Sequence, residues 1–456
     1  MKKIFNFLPY KVHCSFSEEI LEIAQQQYLG WPLVTENGVE GIYLNLIAEA
    51  DSLTLKNDLY GLYRVYYWEK DHEIFLTDNP DSFLQPEEYR NLQVNAMEKE
   101  LFDKSLGYTS GDSTFYEEIK KLPPASEMKI NRDGLRINFY YPYRKILRTP
   151  DRQKHVALVK QSVYSILSPL KDRPETKILF FSGGADSCYI AKCLNDLNIA
   201  YKAIFMYNIG QSKRSEKALR DAKKQLKSLQ IANFEVLKIN PADSSMDRQI
   251  TSTLRFDRHS AKMHYLTMQK IVETYGRNII VINGQNSDSI FSYGPSEKSF
   301  SSLLKRYLMY GRNVILKHLF AVFCSIYCKR FMRLMRNEAE SLFVLCSGYK
   351  YLHLYDLSYS KKCRSYFENK LSFLMGKMNL NQNCMQMFCK IFFFIQGPDS
   401  MVVVQSAKSH NISLLVLPFA THGALEATLQ YKDDRYELTH PKYCIRELDL
   451  IESEAK

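Results

Sequence analysis

Four short apolar runs, Lys177–Phe181, Lys202–Tyr207, Phe234–Ile239 and Asn278–Asn283, are separated by stretches with helical spacing, Ser187–Leu197, Ser215–Leu229 and Ser260–Tyr275. A strand that reaches the next through a helix is joined to it by a crossover, and the crossover makes the pair parallel. The alternation therefore predicts an α/β fold built on a parallel sheet with helices against it. It also limits where a ligand can sit, because open parallel sheets bind at the carboxyl ends of their strands.

The chain before this region reads differently. Residues 1–145 are mostly β, with aromatic or β-branched runs at Gly41–Ile47, Leu62–Trp68, Glu73–Leu76 and Gly134–Tyr141 between Asn, Asp and Gly turns. Pro142, Pro150 and the polar stretch Arg148–Lys154 look like a linker. Residues 300–395 read as helices rich in Lys, Arg, Phe and Tyr, and Gly397–Pro398 breaks them before a last segment around Leu417–Pro418–Phe419.

Charge divides the same way. Residues 1–150 carry 17 Lys and Arg against 23 Asp and Glu, whereas residues 300–395 carry 15 against 4. The basic stretch suits an anionic substrate, a nucleic acid, a membrane surface or simply solvated helix faces. The apolar run Val314–Cys328 is interrupted by Lys317 and His318 and is too short to span a bilayer, so no transmembrane segment is expected. The N-terminus is a poor signal peptide, and the ten cysteines contain no CxxC, which fits reduced thiols in a cytoplasmic protein.

The sharpest local signal is KILFFSGGADSCYIAKCL, in which an apolar strand runs into Ser182–Gly183–Gly184–Ala185–Asp186–Ser187 and then a helix. Adjacent glycines let the backbone turn tightly and aim its N–H groups at an anion, with the helix N-terminus behind them. Ser182 and Ser187 add hydroxyls for phosphate oxygens. Asp186 would repel a bare phosphate and calls for a cation between them, of which Mg²⁺ is the natural choice. An ordinary strand–turn–helix corner would use the same glycines with Ser or Asp as a cap. A second signal lies at the end of a later strand, NIIVINGQNSDSIFSYG. There Gly284 and Asp288 would face the first loop, and Asp186 and Asp288 could share one Mg²⁺. Alone, this stretch is also a common turn composition.

The SGGADS hexapeptide resembles the pyrophosphate loop of the N-type ATP pyrophosphatases. NGQNSDSIFSYG is similar to the G-x-x-x-D-x-x-F-x-G-Y element of asparagine synthetases, with Ser292 in place of its second Gly. The stretch LLVLPFATHGALEATLQ followed by THPKYCIRELDL resembles the tail of the same family. The resemblance covers nearly the whole chain, with residues 300–395 the weakest part. It implies an adenine nucleotide α-hydrolase-like (PP-loop) synthetase domain over residues 149–456 with a helical extension. It implies further that ATP and Mg²⁺ are used, that Ser182, Gly183, Gly184, Asp186, Ser187, Glu216 and Gly284 bind ATP, and that Lys442 is catalytic. Arg446 would follow Lys442 at i+4 on one helical face. Gln285 stands where the family has an acid or Tyr that handles the attacking nitrogen. An amide cannot accept that proton, though it can orient an amine. Leu414 and Val416 replace an acid and an Arg of the family, and Thr421 replaces an Asp.

The N-terminal part looks similar to the family's glutaminase domain through Asp58-x-x-Gly61-x-x-x-Val65-Tyr66-Tyr67 and GYTSGDSTFYEEIKKLPPA, where Ala125 replaces a Gly. Residues 1–148 would then form a degenerate Ntn-type, β-rich α+β domain. The family's nucleophile is Cys at residue 2, whereas this chain reads Met1–Lys2–Lys3 and its first cysteine is Cys14. A glutaminase-like shell without the chemistry is expected, as in β-lactam synthetases and lasso-peptide cyclases. The implied partners are a small-molecule or peptide carboxylate and a nitrogen donor, with a separate source of ammonia where one is needed and no nucleic acid. Two other classes remain open: a tRNA-modifying PP-loop ATPase and an inactive binding subunit. Cys324 with Cys328, and Cys384 with Cys389, are read as buried thiols before zinc ligands, and His259 and His422 as structural histidines.

Overall fold

The computed structural model describes residues 2–16, 26–36, 38–85, 88–101, 109, 111–245, 247, 262–291, 365–366, 369–370, 373, 377–392, 400–433, 436–437, 440 and 442–446. Most of the basic helical stretch, with Cys324 and Cys328, lies outside the described residues, as do His259, Ser292 and Gly397–Pro398.

The first part is two five-stranded sheets. The strands are β1 (Lys2–Phe7), β2 (Tyr10–Ser15), β3 (Gln26–Thr35), β4 (Gly38–Ala48), β5 (Ser52–Asn57), β6 (Tyr66–Lys70), β7 (Glu73–Thr77), β8 (Lys120–Lys121), β9 (Ser126–Asn131) and β10 (Gly134–Phe139), and helix α1 (Ala96–Leu101) lies between β7 and β8. One sheet has the order β1-β2-β7-β6-β8 and the other β10-β9-β5-β4-β3. Only β2 and β7 pair parallel; the other neighbours are antiparallel. Asp71 and His72 both adopt positive φ between β6 and β7, which gives the two-residue turn whose twist matches the paired strands.

The strand expected over Leu62–Trp68 begins only at Tyr66. Before it the chain wraps around the buried Asp58 carboxylate, which accepts the N–H groups of Tyr60, Leu62 and Tyr63 at 2.9–3.0 Å. The side chain thus replaces ladder partners that a strand would have supplied. The expected linker is ordered too. Thr149 and Asp151 donate to Gln430 and Tyr431, and Asp151 caps helix α2 (Arg152–Leu167) through the N–H of Lys154.

The parallel sheet appears as expected. Its elements are β11 (Thr176–Phe180), α3 (Ala185–Asp196), β12 (Lys202–Asn208), α4 (Ser212–Ser228), β13 (Phe234–Ile239), α5 (Lys262–Tyr275), β14 (Ile279–Ile282) and α6 (Ser287–Phe291). After them come α7 (Gln382–Lys390), α8 (Ser400–Ser409), β15 (Leu414–Val416), α9 (His422–Tyr431) and α10 (Tyr443–Arg446). The order β13-β12-β11-β14-β15 is parallel throughout. Every residue of β14 and β15 is buried, which is why these strands read as unbroken apolar runs. Leu414 and Val416, where the family has an acid and an Arg, are among those buried residues. The chain leaves β11 for one side and returns to β14 on the other, so a switch point opens between the carboxyl ends of β11 and β14. Among the described residues no helix is long and apolar enough to cross a membrane.

Candidate active site

Both loops singled out in the sequence leave the sheet at that switch point. Gly183 has φ +73°, and a Cβ there would lie 2.5 Å from Cα of Ala222 on α4. Glycine is needed for the left-handed backbone and for the close approach of the helix. Gly184 caps α3 and is exposed. Ser182 is exposed as well, and its Oγ accepts the Gly184 N–H at 3.3 Å. Ser187 is buried and donates its hydroxyl to the Gly184 carbonyl at 3.2 Å. The hydroxyls thus shape the loop.

Gly284 meets this loop from β14. A Cβ on Gly284 would lie 3.1 Å from Cβ of Asp186. A side chain there would press on Asp186 by a few tenths of an ångström, so the glycine lets Asp186 sit close beside the second loop. Gln285 is half-buried, with its N–H held by the Asn283 side chain at 3.0 Å, and Asn286 turns the chain at φ +75°.

Lys442 joins the loops. Its Nζ lies 2.6 and 2.8 Å from the two oxygens of Asp186, 2.6 Å from Oδ1 of Asp288 and 2.8 Å from Oγ of Ser287. The lysine is 7% exposed, whereas the carboxylate side chains of Asp186 and Asp288 are 29% and 46% exposed. The cation that Asp186 calls for is therefore supplied here by the protein itself, from a residue 256 positions away. Lys442 is not on a helix. It adopts φ +59° ahead of α10, so the helical i+4 relation to Arg446 does not hold. Arg446 is exposed at the far end of that turn and makes no hydrogen bond or ion pair to the described residues of the cluster. Glu216 stands on α4 beyond the cluster, exposed, and accepts from the Tyr207 hydroxyl at 3.4 Å.

Three features of the cluster have no counterpart among the residues expected from the sequence. Ser287, the neighbour of Asp288, is buried against the ammonium. Buried Glu437 accepts the Lys442 N–H at 2.5 Å and so fixes the backbone from which the lysine reaches. His155 on α2 is fully buried between the Tyr443 hydroxyl at 2.8 Å and Thr428 at 3.2 Å. Burial, with Lys432 and Arg148 adding to it, lowers its imidazole to about 3. It is therefore a neutral link that ties α9 and the Lys442–Tyr443 turn to α2. Only Ser287 carried a usable signal, as part of the NSD turn.

The donor set fits a divalent cation as well as an ammonium. Carboxylates of Asp186 and Asp288 reach a common point, and Mg²⁺ is usually held by one or two carboxylates, with water and substrate phosphates filling the remaining positions. No group of three or more His, Cys, Asp or Glu that could hold a metal occurs among the described residues. Cys384 and Cys389 are buried on α7. Cys14, the one cysteine of residues 1–148, is buried in β2 and its thiol is pushed far up by that burial, so it packs and is not a nucleophile.

No family model and no curated protein matches the chain. Among solved structures it is similar to an NMN synthetase from Francisella tularensis, at 16% identity and TM-score 0.24, over 50% of this chain and 97% of that one. It is also similar to an NH3-dependent NAD synthetase from Campylobacter jejuni, at 16% identity and TM-score 0.23, over 49% and 96% of the two chains. A glutamine-dependent NAD+ synthetase from Acinetobacter baumannii matches at 12% identity and TM-score 0.23, over 76% and 80%.

Proposed function

We propose that the chain is an ATP-dependent amide-forming ligase of the asparagine synthetase type, with residues 149–456 as its synthetase domain and residues 1–148 as a glutaminase-like domain without the nucleophile. The observation that carries the reading is the convergence of Asp186, Asp288, Ser287 and Lys442 beside a glycine loop at the carboxyl ends of β11 and β14. Ser182, Gly183 and Gly184 hold the phosphates of ATP, and the buried Ser187 hydroxyl keeps the loop in shape around them. Asp186 and Asp288 would hold Mg²⁺, which would supply charge neutralisation on the departing pyrophosphate.

A substrate carboxylate oxygen attacks the α-phosphorus, the bond to the β-phosphate oxygen breaks, and pyrophosphate leaves. Negative charge builds on the phosphoryl oxygens during that attack, and the Lys442 ammonium offsets it. An amine or ammonia nitrogen then attacks the acyl carbon and AMP leaves. The Gln285 amide orients that nitrogen by hydrogen bonding and leaves its proton to another acceptor, because an amide does not take one at neutral pH. The resting ion pair of Lys442 with Asp186 supports this reading, since it puts the lysine at the phosphate loop before any nucleotide arrives.

The test is a pyrophosphate-release screen with ATP and Mg²⁺ across carboxylates, including aspartate, uronic acids and peptide side chains. Release that depends on one carboxylate and one amine supports the ligase. No release with any of them, together with nucleotide binding, makes the chain a binding subunit instead.

A further inference from the structure

We propose that Lys442 is an internal counter-ion that closes the Asp186–Asp288 pair to free divalent metal and yields it only to metal arriving with a polyphosphate. The inference rests on the ligase reading above and adds an order to its binding steps.

The geometry sets up a competition. The Lys442 Nζ is 2.6 Å from an oxygen of each carboxylate. A divalent ion bound to the same two oxygens would lie about 2.0–2.1 Å from each and would fall in the space of the ammonium. Two cations cannot share that position. The pair accepts either the lysine or the metal.

Charge decides which. Two carboxylates against one ammonium leave the cluster one negative charge, so free metal is attracted to it. To enter, however, the metal must displace a 7%-exposed ammonium from both carboxylates, and the other acid of the cluster, Glu437, is already engaged by the Lys442 N–H. Losing a partner in a partly desolvated position is costly. A polyphosphate changes the balance, because its oxygens offer the ammonium a new anion at the neighbouring glycine loop. The exchange needs only the side chain to move. The Lys442 backbone is held at φ +59° with its N–H on Glu437, while the four-carbon stem can swing. Metal and nucleotide are thereby coupled: each makes room for the other.

The experiment uses the full chain and Mn²⁺ as the probe, with free Mn²⁺ counted by electron paramagnetic resonance. Wild type should bind Mn²⁺ alone weakly and bind it about tenfold or more tightly in the presence of α,β-methylene-ATP, which cannot be cleaved between the α and β phosphates. Lys442→Met should bind Mn²⁺ alone about tenfold more tightly than wild type and lose most of the nucleotide enhancement. Asp288→Asn added to Lys442→Met should abolish the gain. Lys442→Gln provides the same comparison should the Met variant fail to fold. Equal affinity of wild type and Lys442→Met for free Mn²⁺ overturns the exchange, and so does a gain that survives Asp288→Asn. Wild type that binds no Mn²⁺ with the nucleotide overturns the ligase reading and the exchange together; wild type that binds it, without a gain in the variant, overturns the exchange alone.

Discussion

Acidic side chains do opposite work in the two halves of the molecule. In the N-terminal sheets Asp58 and Glu40 are buried and face backbone N–H groups. Asp58 organises the 58–63 turn, and Glu40 accepts the His422 N–H with both oxygens at 3.1 and 3.2 Å, at the start of α9. Burial raises Asp58 to about 6 and Glu40 to about 7, against hydrogen bonds that pull each the other way. At the parallel sheet Asp186 and Asp288 stay partly exposed and face a cation. A motif acid that ends on amides shapes the chain; one that ends half in solvent on a lysine is available to a ligand. If this contrast is right, substitutions in the two halves should separate cleanly into losses of activity and losses of stability.

The largest effect should come from the carboxylate pair. Asp186→Asn and Asp288→Asn should each lower pyrophosphate release by about 10³-fold or more, because each removes half of the cation site. Urea midpoints should move far less than the rates, since Lys442 keeps the other carboxylate as its partner in each single variant. A near-normal rate in either variant would break the contrast at its catalytic end. Next comes Lys442→Ala, with single-turnover release slowed by about 10²–10³-fold at saturating ATP, the usual loss for one transition-state donor. Lys442→Arg should restore little of it, because a planar fork does not replace a compact ammonium. A rate within a few-fold of wild type would return Lys442 to a structural role.

Why one end of this contrast could be read from the sequence and the other could not is a matter of range. SGGADS and NGQNSD are each local, and strand–helix alternation fixes that both sit at carboxyl ends of one sheet. Their meeting, with Gly284 against Asp186, follows from strand order alone. The contact of Lys442 with Asp186 spans 256 residues; the resemblance implies a catalytic Lys442 but not this ion pair. Its left-handed backbone has no glycine or asparagine to announce it. The support from Glu437 and the neutral His155 link depend on tertiary packing and left no pattern. The strands β1, β2, β3, β5, β8 and β9 fall outside the aromatic and β-branched runs for a related reason. β5 (SLTLKN) and β9 (SEMKIN), for example, lie inside their sheet but carry only two apolar residues each, so pairing rather than propensity makes them strands.

A smaller, purely structural effect tests the N-terminal end. Asp58→Asn keeps one accepting oxygen for Tyr60 and Leu62 but turns an N–H₂ toward the Tyr63 N–H, or the reverse when flipped. Leaving buried amides unsatisfied should cost about 2 kcal/mol in urea unfolding, with the rate of folded protein unchanged. Loss of activity without loss of stability would mean that the acids of this half do more than shape the chain.

The smallest effect concerns Glu40, and pH sets its sign. In the folded chain its carboxyl lies at about 7, above the ordinary value of 4.5 that it regains on unfolding. Between those values the folded state holds a proton that the unfolded state has released. The contribution of Glu40 to stability therefore grows as pH falls from 7 toward 4.5, and it is lost as pH rises through 7. Glu40→Gln cannot titrate. The stability difference between wild type and Glu40→Gln should shift in favour of wild type as pH falls from 8 to 5, by at most about 1.4 kcal/mol per pH unit. His155 and His422 run the opposite way, because burial lowers them to about 3 and about 4, but they are present in both proteins and cancel in the difference. Urea unfolding of the two proteins across that range reads the slope directly. Parallel curves would show that the Glu40 carboxylate keeps its proton affinity on folding, because its two bonds to the His422 N–H balance the burial.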